Sequence, residues 1–204
     1  MSNIDIDIVS DGHSRDIAIL SVRAMIADEI VAINIPDMIQ KINARLRVSD
    51  QIQRLRIWGH GAPGLVCVGN VPASLSLDST DDILERNTLK TVRVVERLAY
   101  TRSGQRREFP LLNENLLVQL QPKFAQEGWA EIHACYVADD EKGEQLLQAL
   151  ARVWQRRVAG GTGLQVAGGG LENTVVVARP GGGPVTRRVP PPPERGWFDD
   201  CSAW

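Results

Sequence analysis

Apolar and polar residues alternate along several short segments of the chain, and this period of two predicts β-strands. The first segment is "IDIDIV" at residues 4–9, where Ile or Val alternates with Asp. The second is "QRLRIWGHG" at 53–61, which ends in a histidine between two glycines. "GLVCVG" at 64–69 follows a Pro-Gly turn, so it predicts a hairpin-like unit with the second segment. Alternation returns in "WAEIHACY" at 129–136 and in the last predicted strand, "NTVVVARP" at 173–180.

Other segments carry apolar residues at helical spacing, three or four positions apart. Residues 18–34 are apolar but do not decide between a helix and strands, and residues 159–170 form a glycine-rich loop. The predicted helices are 35–46, 78–100, 113–128 with a kink at Pro122, and 141–158.

Strands that alternate with helices predict an α/β fold with three layers: a mostly parallel sheet and helices on both of its faces. We assign this domain to residues 1–180. Residues 181–204 are rich in Gly and Pro and predict an extended tail that is separable from the domain. Three aromatic residues of the tail, Trp197, Phe198 and Trp204, are candidates to dock on the domain or on a protein partner.

Composition narrows the class of protein. The chain has 204 residues, of which 43% are hydrophobic and 24% are charged, and its net charge is −2. These values predict a packed core and exclude wholesale disorder, and no concentrated basic patch indicates a nucleic-acid partner. The start of the chain carries acids where a signal peptide needs a basic region, and no apolar run is long enough for a membrane span. We therefore expect a cytoplasmic protein, with export independent of a signal peptide left open.

The chain has three cysteines, Cys67, Cys135 and Cys201, at wide spacing. An odd number at such spacing is not typical of a disulfide framework, so at least one free thiol in a reducing compartment is expected. Cys67 is predicted to lie in the core.

Two chemically active residues fall at the ends of predicted strands. His60 follows one strand, and Cys135 follows another. In parallel sheets the functional surface lies at the carboxyl ends of the strands. An imidazole beside a cysteine favours the nucleophilic thiolate and can protonate a leaving amine. The amides of Gly61 and Cys135 are candidate donors to the oxyanion of a tetrahedral intermediate.

The segments "RIWGHGAPG" and "AEIHACYVA", in this order, resemble the two catalytic strands of caspase-like cysteine peptidases, the group of caspases, metacaspases, legumains, gingipains and clostripain-like peptidases. The helix "KGEQLLQALARVW" and the loop "VAGGTGLQ" that follow are similar to uncharacterised bacterial domains of this fold. The resemblance covers roughly residues 4–180. It implies a thiol protease, a hydrolase with a His-Cys dyad in which His60 is the catalytic histidine and Cys135 the nucleophile, without a metal or another cofactor, that cleaves protein or peptide substrates.

The resemblance also implies where a substrate-binding pocket lies. In this fold, the loops after the first strand and after the helix that follows the cysteine border the nucleophile. They correspond to Asp11 and to residues 160–165, including Gly161 and Thr162. A carboxylate in such a pocket would favour Arg or Lys before the scissile bond. Asp11 is equally well explained as a turn or capping residue. The glutamine that precedes Ala-Cys in caspases is replaced here by His133, so selectivity for aspartate is not carried over.

Other interpretations remain open at this point. Cys135 can be a small buried hydrophobe, and His60 can be a turn residue. His133 can support Cys135 from behind, or His60, His133 and Cys135 can form a metal site, although closely spaced ligand pairs are missing. The glycine-rich loop lacks the spacing of a phosphate-binding loop. The alternative function is a non-catalytic module of the same fold that docks a protein partner through its Pro-rich tail.

Overall fold

The structure is a computed structural model, and it describes residues 2–11, 26, 28–69, 88–90, 113–165 and 170–188. Ten strands fall within these ranges: β1 Ser2–Ser10, β2 Ile30–Ala32, β3 Asp50–Trp58, β4 Gly61–Ala62, β5 Leu65–Cys67, β6 Thr88–Lys90, β7 Phe124–His133, β8 Arg157–Gly161, β9 Val175–Ala178 and β10 Thr186–Arg188. The helices are α1 Ile35–Arg45, α2 Glu114–Leu117 and α3 Asp140–Trp154, with a 3-10 helix at Val118–Lys123.

Seven strands form the central sheet, in the order β10-β9-β8-β7-β3-β1-β2. The five strands β8, β7, β3, β1 and β2 are parallel to one another. At one side of the sheet, β9 pairs antiparallel with β8, and β10 pairs antiparallel with β9. A second, antiparallel sheet has the order β4-β5-β6 and contains the predicted hairpin after β3. The predicted α/β class with a mostly parallel sheet is confirmed.

The helices form where the sequence supplies both an apolar face and a suitable start. The side chain of Asn34 caps α1 by accepting a 2.8 Å hydrogen bond from the Asp37 amide, and a proline lies in the first turn. In α3, a Cβ on Gly143 would lie 2.5 Å from the backbone of Ala138, so only glycine permits this close approach. α3 ends at Trp154, and the next residue, Gln155, adopts a left-handed conformation.

The described helices pack against one face of the sheet and share one apolar core with it. Trp154 is fully buried there, and its indole Nε1 donates to the Leu117 carbonyl over 3.1 Å. The sheet side of this core includes the inward residues Ile6, Ile8, Leu55, Ile57, Ala130, Ile132 and Val158.

The opposite face of the three central strands carries charged and aromatic side chains in register. The Arg54 guanidinium forms an ion pair with the Asp5 carboxylate at 2.5 Å, and the Arg56 guanidinium forms one with the Asp7 carboxylate at 2.5 Å, both across the β1–β3 pair. Arg54 also lies over the Trp129 ring of β7, 5.9 Å from its centroid. Cross-strand pairs of this kind stabilise neighbouring strands and their register.

Some sequence-based boundaries were wrong. The segment 113–128 is not one helix: four residues are α-helical, a 3-10 helix containing Pro122 follows, and β7 begins at Phe124. Proline lacks the amide that would continue an α-helix, so the chain changes to an extended conformation there. β8 was missed because its glycines fall within the segment assigned to a loop.

Other predicted segments lie partly outside the described residues. Of 78–100, Thr88–Lys90 is described and is a strand, not a helix. Of 18–34, Ile30–Ala32 is a strand. Past the predicted domain boundary at residue 180, β10 pairs with β9, so the sheet extends into the segment assigned to the tail. In the part of the chain that the structure describes, no helix has the length and hydropathy of a membrane span.

Candidate active site

The parallel strands bring the predicted site residues to one edge of the sheet. The carboxyl ends of β8, β7, β3 and β1 lie side by side in this order. Thr162, Cys135, His60 and Asp11 follow these four ends in turn. The order in which strands are added to the sheet reverses between β1 and β3, because β2 lies beyond β1 on one side and β7 beyond β3 on the other. Such a reversal opens the crevice in which α/β proteins bind ligands.

His60 and Cys135 occupy matching positions on neighbouring strands. Trp58 of β3 pairs in register with His133 of β7, and each site residue lies two positions beyond this pair. The Gly59 amide donates to the His133 carbonyl over 3.2 Å, which carries the pairing of the two chains past the strand ends. Parallel strands lie about 4.8 Å apart, so the imidazole and the thiol start from adjacent backbones. His60 is exposed and Cys135 is half-buried with a free thiol.

The glycines beside His60 allow this contact between the two segments. A Cβ on Gly61 would lie 2.6 Å from the Ala134 Cβ and 2.9 Å from the Cys135 carbonyl oxygen. A Cβ on Gly59 would lie 2.1 Å from the Cys67 carbonyl oxygen. Distances this short are not tolerated, so Gly61 is explained by close packing against Ala134 and Cys135, and Gly59 by close packing against Cys67 of β5.

The turn that contains Cys135 is fixed from both sides. On one side, the Gly64 amide donates to the Val137 carbonyl over 3.1 Å. On the other, the Tyr136 amide donates to the Gly163 carbonyl over 2.6 Å, and the Ala138 amide donates to Gly161 over 3.2 Å. The thiol is therefore carried by a rigid turn between the hairpin and the loop after β8.

Tyr136, directly after the cysteine, has a φ of 57°. A left-handed conformation is costly for an aromatic residue and indicates that the surrounding contacts impose it. The Tyr136 side chain is 40% exposed.

The predicted pocket residues lie on both flanks of the His-Cys pair. Gly161 ends β8 and Thr162 follows it, next to the end of β7, and the Thr162 amide donates to the Thr174 carbonyl over 2.9 Å. Asp11 follows β1, next to the end of β3, and its amide donates to the Ala32 carbonyl over 2.8 Å. The structure thus places these residues at the same edge, on opposite sides of the pair.

A buried glutamine organises the loop after β8, and sequence reasoning missed its role. The Gln165 side-chain amide donates to the carbonyls of Leu164 and Glu172, over 3.1 and 3.3 Å, and its Oε1 accepts from the Glu172 amide over 3.0 Å. Asn173 adds a 2.8 Å bond to the Leu164 carbonyl. These bonds tie together the described residues on the two sides of the loop.

His133 is packed behind the cysteine and does not face solvent. Its side chain is 2% exposed, its ring stacks on Trp58, and its Nε2 lies 3.0 Å from the Glu131 carboxylate. In the described part of the chain, its Nδ1 has no hydrogen-bond partner. Burial lowers the pKa of His133, although the hydrogen bond to Glu131 opposes that shift.

Glu131 is correspondingly held as a carboxylate. Burial alone raises its pKa, but hydrogen bonds from His133 and Trp129 outweigh burial and lower the pKa to about 2. The Trp129 Nε1 donates to Glu131 over 3.0 Å. A neutral His133 that donates Nε2–H to an ionised Glu131 is therefore the stable pair.

The metal site and the state of Cys67 can now be compared with the geometry. Among residues that the structure describes, no group of three or more His, Cys, Asp and Glu side chains is placed to hold a metal ion, so His60, His133 and Cys135 do not form one. Burial raises the pKa of the Cys67 thiol to about 11, so Cys67 stays a protonated thiol near neutral pH. The alternation of Trp129, Glu131 and His133 shows from the sequence that they share one strand face, but not that the pair is buried.

No protein-family model, curated protein or solved structure matches the chain.

Proposed function

We propose that this chain is a cysteine endopeptidase of caspase-like fold, in which Cys135 is the nucleophile and His60 the general acid–base. One observation carries the proposal. A histidine and a cysteine follow the carboxyl ends of two adjacent parallel strands that pair in register, at the sheet edge where α/β proteins bind ligands and next to the strand-order reversal between β1 and β3. The finer prediction of helices on both faces belongs to the same proposal.

The reaction follows from the chemistry of the pair. The Cys135 thiolate attacks the scissile carbonyl carbon, and the amides of Gly61 and Cys135 donate to the oxyanion. The carbon–nitrogen bond then breaks, and the leaving amine takes a proton from His60. A water molecule gives a proton to His60 and attacks the thioester, which releases the carboxylic acid and restores the thiol. These steps require no metal and no cofactor.

The rigid turn supports this assignment. A nucleophile that is fixed by hydrogen bonds at Tyr136 and Ala138 on one side and at Val137 on the other loses little entropy when it attacks. Asp11 follows β1 on one flank of the dyad, and Gly161–Thr162 lie at the end of β8 on the other flank. The proposal includes a pocket for an Arg or Lys side chain of the substrate, with the Asp11 carboxylate at its bottom.

The test is intact-mass analysis after treatment with a peptidyl vinyl sulfone or chloromethyl ketone at neutral pH. One adduct on the parent, none on Cys135→Ala, and one on Cys67→Ala would support the proposal. His60→Ala should slow adduct formation by about 100-fold, the usual contribution of general acid–base catalysis. Labelling at Cys201 alone, with Cys135 inert in the folded protein, would overturn it.

The alternative is a non-catalytic module that binds a protein partner through its C-terminal segment. One observation favours it: Thr186–Arg188 forms an exposed edge strand just before the Pro-rich sequence. An exposed edge strand can pair with an added strand of a partner.

Bacterial defence, a delivered toxin and self-processing are biological roles that all fit the proposed peptidase, and a cytoplasmic location is part of the proposal.

A further inference from the structure

Two exposed apolar side chains border the proposed nucleophile. Tyr136 is 40% exposed and Leu164 is 41% exposed. They stand on two segments that are bonded to each other, since the Tyr136 amide donates to the carbonyl of Gly163, the residue before Leu164. Single exposed apolar residues are ordinary, so exposure alone does not indicate a binding surface.

The backbone around both residues shows that their exposure is imposed. Tyr136 keeps a left-handed φ of 57°, a conformation that Gly or Asn would adopt at lower cost. Leu164 is held by its own carbonyl, which accepts bonds from Gln165 and Asn173. Its side chain is thus kept outward by a loop in which a buried glutamine satisfies the backbone. Strained residues and fixed loops of this kind cluster at binding sites.

From this arrangement we infer that Tyr136 and Leu164 form an apolar subsite for a substrate side chain next to the scissile bond. The inference rests on the proposed function, because it places the subsite at the Cys135 turn. It is distinct from the predicted acidic pocket at Asp11, which lies on the far side of His60. The substrate class is a peptide with an apolar residue within two positions of the cleaved bond.

The experiment measures the rate of Cys135 modification by dipeptidyl vinyl sulfones. The peptides carry Leu or Asn at the first or second position from the reactive group, with Gly at the other position. Leu and Asn are similar in size and both uncharged, so their rate ratio reports apolar contact. Each rate is divided by the rate with chloroacetamide, which has no side chain, measured on the same variant.

We expect Leu to exceed Asn by about tenfold or more at one of the two positions, the usual value of an apolar pocket. The double variant Tyr136→Asn, Leu164→Ser should reduce this ratio to about threefold or less. Asn suits the left-handed backbone at 136, and the bonds at 164 use only the backbone, so the fold is retained. Val118→Ser is the matched control, because Val118 is 42% exposed and precedes the amino end of β7.

The outcomes separate this inference from the proposed function. If chloroacetamide and all peptides leave Cys135 unmodified, the peptidase proposal fails. If Cys135 reacts but Leu and Asn give equal rates at both positions, the subsite is wrong while the nucleophile stands. A Leu preference that survives unchanged in the double variant also overturns the assignment to Tyr136 and Leu164.

Discussion

His133 lies flat against Trp58, with ring centroids 3.8 Å apart and ring planes inclined by 21°. The two residues face each other across the β3–β7 pair, in the last register position before the strands deliver His60 and Cys135. The indole of Trp58 is itself fixed, because its Nε1 donates to Asp7 over 2.9 Å. The stack therefore stabilises the last register position before the two proposed catalytic segments.

His133→Ala should slow labelling of Cys135, since loss of the stack leaves a cavity and removes the partner of Glu131. We expect a fall in rate of about tenfold and a loss of about 2–4 kcal/mol in unfolding free energy, typical for truncation of a large buried side chain. His133→Phe keeps an aromatic ring against Trp58 and should retain most of the labelling rate. Equal losses in both variants would show that the hydrogen bond to Glu131, and not the stack, positions the site.

The free energy of unfolding should decrease as the pH falls below 6.5, because His133 is buried as a neutral imidazole. Its pKa is lowered in the folded protein, so below the ordinary value of 6.5 the unfolded chain takes up a proton that the folded chain resists. Folding is therefore favoured above pH 6.5 and loses this contribution as pH falls below it. Urea midpoints of the parent and of His133→Phe at pH 7.5 and 5.5 provide the measurement. The parent should fall more than the variant, and parallel declines would contradict a buried neutral imidazole.

A second acid-sensitive range belongs to Glu131. Its pKa of about 2 in the folded protein is below the ordinary 4.5, so its contribution is complete above pH 4.5 and is lost as pH falls toward 2. Glu131→Gln should cost about 2 kcal/mol at pH 7, the value of hydrogen bonds to a charged group. The cost should shrink at pH 3, measured by urea unfolding. A cost that does not change with pH would mean that the carboxylate charge is not what stabilises the pair.

Gly61→Ala tests whether glycine at position 61 is required for close packing against Ala134 and Cys135. The new Cβ would press on Ala134 and on the Cys135 carbonyl, so the turn must shift. We expect at least a tenfold slower labelling of Cys135 and a loss of about 1–3 kcal/mol from overpacking. Gly181→Ala is the control, because nothing lies within 4 Å of a Cβ there. Unchanged labelling in Gly61→Ala would show that the two segments are not held as closely as these distances indicate.

Tyr136→Asn should relieve the left-handed strain and stabilise the protein by about 1 kcal/mol, the usual cost of this conformation for a side chain with a Cβ. Thermal unfolding measures the change. Tyr136→Val is the opposite control, since a β-branched residue tolerates a positive φ poorly and should destabilise. If Asn does not stabilise, contacts of the Tyr136 side chain compensate for its strain.

The sequence located the ends of β3 and β7 but not which strands pair with which. His60 and Cys135 could be placed because alternation locates strand ends, and the parallel class then puts those ends at one edge. The pairing of β3 with β7 could not be predicted, because it depends on contacts between segments about 70 residues apart. β8 was missed for a similar reason: Gly160 and Gly161 have low strand propensity, and only pairing with β7 and β9 makes them extended.

The supporting residues were harder to find than the reactive ones. Glu131 alternates with apolar residues and received no role from the sequence, yet Trp129 and His133 both hydrogen-bond to its carboxylate. Gln165 lies in a glycine-rich segment and gives no periodic pattern, although its side chain holds the loop. Roles of this kind depend on which polar groups burial leaves without water, and a linear pattern does not contain that information.

Truncation tests the predicted boundary between domain and tail. β10 is the outermost strand, its three residues are exposed, and it is held by pairing with β9 and by the Arg187–Glu144 ion pair. Removal of residues 181–204 should leave a cooperatively unfolding domain that is weaker by about 1 kcal/mol, because exposed ion pairs contribute little. Removal of residues 189–204 alone retains β10 and should leave the unfolding midpoint unchanged. Circular dichroism during urea titration distinguishes the variants: failure to fold after truncation at Pro180 would make β10 part of the core, whereas a lower midpoint after truncation at Arg188 would show that the aromatic end of the tail docks on the domain.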